Sequence, residues 1–246
     1  PEFDADRDAV LARAHSRGVS CLVLPAVTAD HFEPMRRLAE RTGQPYALGL
    51  HPLWTGAAEP EASLARLDAM LAATRDDPRR VAVGEIGLDF SPKHVPQGSE
   101  ELQIAAFERI CMAAAREDGK VLSIHSVRAT GTVLDVLERT GALDGCRCVF
   151  HWFSGSSDEI WRAIRGGCRF SVNEMMLSTG RGREYAKLIP RDRLLLETDQ
   201  PAGQRVPWDV ERVTGSLVET LMRLERVLGR NVADEVQANA ETLLER

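Results

Sequence analysis

The chain is predicted to fold as an α/β protein of the (β/α)8, TIM-type barrel class, with the first barrel strand missing from its 246 residues. Three observations predict this. Short apolar runs alternate regularly with longer amphipathic segments, which implies parallel strands joined by helical crossovers. The runs are apolar almost throughout, as expected of strands covered on both faces. No G-x-G-x-x-G follows the first run, which weakens the competing doubly wound nucleotide-binding sheet.

The elements follow in order. Asp4–Arg17 reads as a helix, with Asp4 as its cap and Val10, Leu11 and Ala14 on one face. Strands are expected at Val19–Pro25, Pro45–Leu50, Arg80–Ile86, Lys120–Ile124, Arg147–Phe150, Cys168–Val172 and Arg193–Leu196. Helices are expected between them at Asp30–Thr42, Pro60–Ala73, Glu100–Glu117, Thr130–Arg139, Ser157–Arg165 and Gly182–Leu188. Two more follow, at Trp208–Leu228 and Val232–Leu244. Gly56–Pro60 and Pro92–Ser99 read as loops, and no linker or change of composition divides the chain, so residues 1–246 are expected to form one domain. Seven strands preceded by a helix suggest a barrel whose first strand lies upstream of Pro1.

A hydrophobic fraction of 43% with 28% charged residues is that of a folded protein, not a disordered or collagen-like chain. No apolar run reaches the ~18–20 residues of a membrane span, and no basic, then apolar, leader is visible. A net charge of −6 excludes a generally basic nucleic-acid coat. Five cysteines, with no C-x-x-C pair, read as reduced thiols and a cytoplasmic location. Cys146 and Cys148 read as buried structural thiols.

Three of the six histidines directly follow apolar runs: His51, His125 and His151. Glu85 follows Val81–Ala82–Val83–Gly84, and Asp199 follows Leu194–Leu195–Leu196–Glu197–Thr198. In a parallel barrel the C-terminal strand ends form one rim where catalytic residues gather. Imidazole and carboxylate together suit divalent cations, and a carboxylate can bridge two ions that activate water and clamp a phosphate. A strand-end histidine is individually often only a hydrogen-bonded core residue. Five titratable groups at the same offset make a shared site the better reading. His15, His31 and His94 read as surface residues.

These motifs resemble the TatD-related metal-dependent hydrolases, within the amidohydrolase-like barrels. The matching strings are Gly49–Leu50–His51–Pro52, Gly84–Glu85–Ile86–Gly87–Leu88–Asp89, Ile124–His125–Ser126, His151–Trp152–Phe153–Ser154–Gly155–Ser156 and Glu197–Thr198–Asp199–Gln200–Pro201. The resemblance runs to Asn239. It implies DNase activity, often 3′–5′ exonuclease action on single-stranded DNA and some RNA. It implies two divalent ions (Mg²⁺, Mn²⁺ or Zn²⁺) per subunit of the full-length protein. Glu85 would bridge them, His125 and His151 would complete the second site, and Asp199 would bind the first ion and help activate water. His51 would face the scissile phosphate. The family's first strand ends in H-x-H and supplies two ligands of the first ion. That strand is absent here, and truncation of the sequence is the expected reason. The family's arginine two residues after the histidine is replaced by Val127, with Arg128 beside it. Its aromatic after Asp-x-Pro is Ala202, and its Arg-Asn-x-Pro appears as Arg205–Val206–Pro207. The stretches from His125, His151 and Ser171 also resemble the QatD branch, associated with antiphage defence, which implies defence-complex protein partners.

Trp54, Trp152 and Phe153 lie where bases of a single strand could stack. Arg162, Arg165, Arg169, Arg181, Arg183, Lys187, Arg191 and Arg193 cluster in one third of the chain, and Arg181 or Arg183 is placed to reach a phosphate. The expected activity is metal-dependent phosphodiester hydrolysis of DNA or RNA, with Asp199 as general base. Two alternatives stand beside it. One is an ester- or amide-cleaving relative, for instance on an aminoacyl-tRNA ester. The other is a non-catalytic subunit of a defence complex. Glu85 in the bridging position, where amide-cleaving relatives carry a carboxylated lysine, favours the nuclease.

Overall fold

The computed structural model describes residues 7–55, 60–117, 119–199 and 210–244. The elements run α1 (Arg7–Ser16), β1 (Leu24–Ala26), α2 (Phe32–Thr42), β2 (Tyr46–Leu48), α3 (Pro52–Thr55), α4 (Pro60–Ala73), β3 (Arg80–Asp89) and α5 (Glu100–Ala115). They continue β4 (Val121–Val127), α6 (Thr130–Arg139), α7 (Ala142–Gly145), β5 (Arg147–His151), α8 (Ser157–Arg165) and β6 (Arg169–Val172). Last come α9 (Glu174–Ser178), α10 (Gly180–Leu188), β7 (Leu194–Leu196), α11 (Val210–Leu228) and α12 (Ala233–Leu244). The seven strands are all parallel and neighbour one another in chain order, β1 to β7, as a half-barrel. Among the described residues, β1 pairs with β2 alone and β7 with β6 alone. The Asp4 cap and the 200–207 stretch fall outside the described residues, as does most of the 56–60 loop.

Local chemistry explains the boundaries. Helix α8 starts at a reciprocal cap: Ser156 Oγ accepts from the Glu159 N–H, and Glu159 Oε2 accepts from the Ser156 N–H. The helix expected at Gly182–Leu188 is α10, which starts two residues earlier, and a short helix not expected, α9, precedes it; each has its own cap. Asn173 Oδ1 accepts from the Met176 N–H to open α9, and Thr179 Oγ1 accepts from the Gly182 N–H to open α10. Strand β1 is shorter than the apolar run at 19–25 predicted. Pro45, just before β2, has no N–H to give a ladder, and the Leu22 N–H bonds to the Gln44 side chain instead. Strands β3 and β4 are longer than expected because they pair past the rim, with Leu88 opposite Ser126 and Asp89 opposite Val127.

Two apolar clusters cover the two faces of the sheet. The larger lies under the helices and includes Leu48, Val83, Leu122, Phe150, Phe170 and Leu194. The smaller takes one residue from each of five strands, Ala47, Ala82, Val121, Val149 and Leu195, together with Leu243 of α12. Strand side chains alternate faces. His125, four residues after Val121, and His151, two after Val149, therefore continue the face of the smaller cluster toward the rim. Four of the five cysteines (Cys111, Cys146, Cys148 and Cys168) are buried free thiols, whereas Cys21 is exposed.

Candidate metal centre

Glu85 reaches the same face as His125 and His151 only because β3 is irregular. It lies three residues after Ala82, an odd step that should point it to the helix side. Val83 stands opposite Leu122 and Ile86 opposite Ile124, so three steps along β3 match two along β4. The extra residue falls at Gly84–Glu85, and a bulge of this kind re-aims one side chain. The glycines around it permit the close packing. A Cβ on Gly87 would sit 2.0 Å from the His125 carbonyl oxygen, and Gly87 has φ 137°. A Cβ on Gly49 would sit 2.6 Å from the Glu85 carbonyl oxygen.

Three imidazoles converge on one carboxylate oxygen. Glu85 Oε1 is 2.5 Å from His151 Nε2, 3.0 Å from His125 Nδ1 and 3.2 Å from His51 Nε2. His51 Nε2 and His125 Nδ1 are themselves 3.2 Å apart. Burial pushes the Glu85 carboxyl upward, but the His151 charge and the hydrogen bonds from all three rings hold it well below the ordinary carboxylate range. Burial pushes His151 down, yet Glu85 and Glu197 hold it well above the usual imidazole value. His125 is likewise raised against its burial, by Asp89 and Glu85. His51 goes the other way: burial dominates, its two charged neighbours add to it, and its pKa is lowered.

Behind these rings stand two further carboxylates. Asp89, almost wholly buried, places Oδ2 3.2 Å from His125 Nε2 and 3.0 Å from His94 Nδ1, and its Oδ1 accepts from the Ser91 N–H. Glu197 Oε1 lies 3.7 Å from His151 Nδ1. That carboxylate is held by Ser171 Oγ at 2.8 Å and Asn173 Nδ2 at 3.0 Å. Asp199 sits at the mouth, with an exposed outer side and a carboxyl crowded by protein. Burial first, then Glu197 and Glu85, push it up to about 6 against the pull of His151 and His125.

The donor set fits a divalent cation. Carboxylate and imidazole are its usual ligands, and Glu85 Oε1 has His125 Nδ1 at 3.0 Å and His151 Nε2 at 2.5 Å beside it. A family model, TatD related DNase, matches residues 1–245. The chain belongs to the TatD-related DNases. It is thereby one of a family of hydrolytic nucleases. Deoxyribonuclease TATDN3 of Homo sapiens is 31% identical over 222 residues, which covers 85% of this chain and 80% of that protein. The 3′-5′ ssDNA/RNA exonuclease TatD of Enterobacter lignolyticus is 31% identical over 240 residues, covering 94% and 85%. Among solved structures, the TatD homologue YjjV of Escherichia coli superposes with a TM-score of 0.82 at 28% identity, covering 99% of this chain and 93% of that one. The half-barrel thus matches the TIM-type barrels of TatD proteins.

Glu85, His125, His151 and His51 meet at one point, and Asp199 lies within electrostatic reach of it. Arg128 and Arg181 lie together in a neighbouring polar cleft of about 500 Å³, lined also by Thr130, Ser154, Glu159 and Tyr185. Trp152 is half-buried against the core, and Trp54 is exposed. Arg128 (φ 55°), Trp152 (φ 42°) and Asp199 (φ 50°) are the described non-glycine residues with left-handed backbone, a conformation that costs such residues energy and concentrates at functional sites.

Several expectations need correction. Phe153 is not a stacking platform: it is buried with Phe150, Phe170 and Tyr185, at ring distances of 5.6–5.7 Å. Much of the basic cluster is internally engaged. Arg162 pairs with Glu138 and Asp135, Arg191 with Glu235 and Lys187 with Glu184. Arg183 and Arg193 donate to backbone carbonyls. His94, though about half exposed, bonds to Asp89 and is not a mere surface residue. Asp89 and Glu197 lie within the matching strings, and the structure adds them to the site. The signal was there: Asp89 lies four residues past Glu85, and Glu197 two before Asp199.

Proposed function

We propose that the chain hydrolyses phosphodiester bonds in single-stranded DNA or RNA at a divalent-cation site. Glu85, His125 and His151 hold the ion (Mg²⁺, Mn²⁺ or Zn²⁺), with Asp199 completing its ligands. The single observation that carries this is the convergence of three imidazole nitrogens on Glu85 Oε1 within 3.2 Å. A bound divalent cation supplies Lewis-acid polarisation of the phosphodiester and a lowered pKa for water. A second ion would share Glu85 and Asp199 and would need ligands beyond these side chains.

The chain's own groups supply the rest. Asp199, within electrostatic reach of Glu85 and His151, is the carboxylate that would accept a proton from the attacking water. His51 keeps a neutral ring at the same point and presents Nε2 to the scissile phosphate. Arg128 and Arg181 bind a flanking phosphate in the polar cleft. Glu159, also in that cleft, keeps anion binding modest. The exposed face of Trp152 stacks on a base.

The test is a fluorescent single-stranded oligonucleotide incubated with Mg²⁺, Mn²⁺, Zn²⁺ or EDTA, with Glu85→Ala as control. Cleavage that requires metal and Glu85 supports the reading. Intact oligonucleotide with every metal, from a folded chain, overturns it.

A further inference from the structure

Distance alone would enlist all three histidines as ligands, because each places a ring nitrogen within 3.2 Å of Glu85 Oε1. The opposite ring nitrogens differ in their surroundings, and that difference sorts them. A neutral imidazole carries one N–H and one lone pair, and the partner of the outer nitrogen decides which nitrogen has which.

An ionised carboxylate can only accept. In the neutral ring that ligation requires, Asp89 Oδ2, 3.2 Å from His125 Nε2, therefore keeps the hydrogen on Nε2 and frees the Nδ1 lone pair on the side of Glu85. Glu197 Oε1 lies 3.7 Å from His151 Nδ1, beyond hydrogen-bond length, and a carboxylate on that side favours a hydrogen over a lone pair on Nδ1, with Nε2 facing Glu85. The two ligands thus bind through opposite nitrogens. His51 has the reverse arrangement. The Leu53 backbone N–H donates to its Nδ1 at 3.2 Å, so Nδ1 holds the lone pair and Nε2 the hydrogen. The nitrogen that His51 turns to the site is a donor with no lone pair to offer a cation.

We propose that Asp89 and Glu197 are positioning residues that fix opposite tautomers of His125 and His151 for metal ligation, while the Leu53 amide makes His51 a hydrogen-bond donor. The assignment rests on the metal-site reading above. Both carboxylates are built for the task. Ser91 and a backbone clamp by Gln103 immobilise Asp89, and Ser171 and Asn173 immobilise Glu197. Such outer partners typically govern metal affinity by ~10–100-fold.

The experiment uses the full chain labelled with ¹⁵N-histidine and loaded with Zn²⁺ alone, a diamagnetic probe. Long-range ¹H–¹⁵N spectra should show an Nε2–H on His125, an Nδ1–H on His151 and an Nε2–H on His51, with zinc-induced shifts on the first two only. In calorimetric titrations, Asp89→Asn and Glu197→Gln should each weaken zinc binding ~10–100-fold, and His51→Ala should weaken it much less than either. A zinc-shifted His51 nitrogen, the opposite tautomer on His125 or His151, or zinc affinity intact in both carboxylate variants would overturn the assignment while leaving the metal site standing. Failure of the wild-type chain to bind zinc would remove the metal site and the assignment with it.

Discussion

Replacing Glu85 by glutamine isolates what one charge does in this fold. The amide keeps the shape of the carboxylate but loses its charge and one acceptor. Three imidazole contacts at 2.5, 3.0 and 3.2 Å then lose their anion. The side chains involved are between 11% and 19% exposed, so solvent screens little of the loss. Removing one partner of such a buried pair costs about 3–5 kcal/mol. At ~2–4 °C per kcal/mol for a chain of this size, the metal-free variant should melt about 10 °C lower.

The loss must depend on pH. His151 and His125 have raised pKa values in the folded state, so their contribution is full below the unfolded imidazole value and fades as pH rises through the folded ones. Glu85 is depressed, so its share is present above the unfolded carboxylate value and lost only as pH falls through its folded one. The stability difference between wild type and Glu85→Gln should therefore peak between about pH 5 and 6.5 and shrink toward pH 10. The assay is urea unfolding in EDTA across that range. A pH-independent difference, or none, would refute the charge assignment.

Metal binding at pH 7 should release protons, because the raised imidazoles of His125 and His151 must become neutral to ligate; calorimetry in buffers of different ionisation enthalpy counts them. Below about pH 6 a proton also competes at Asp199, so affinity should fall further there, and less in Asp199→Asn. Arg128→Ala and Arg181→Ala should each weaken oligonucleotide binding and reduce its salt slope by about 1; slopes equal to wild type would remove the cleft from the substrate path. Phe153→Ala should cost about 3–5 kcal/mol in denaturant unfolding, since its ring fills an aromatic cluster and not the substrate groove.

Much of the architecture was legible because local rules agree with it. The helices at Pro60–Ala73, Thr130–Arg139 and Ser157–Arg165 match their predicted bounds, since periodicity and capping are written within a few residues. Convergence of His51, Glu85, His125 and His151 was also readable: strands that alternate with helices run parallel, and their C-terminal ends must share a rim. Tertiary structure alone decided how those groups face one another. The bulge that turns Glu85 onto the histidine face depends on register between β3 and β4, which no local pattern specifies. The engagement of Arg162 and Arg191 depends on acidic partners 24 and 44 residues away. Whether an imidazole offers a lone pair or a hydrogen is settled by the atom behind it, and for His125 and His151 that atom belongs to another strand or the segment after it. Sequence thus determined which chemical groups reach the rim, and long-range packing determined their orientation and charge, because both are properties of neighbours brought together only when the chain folds.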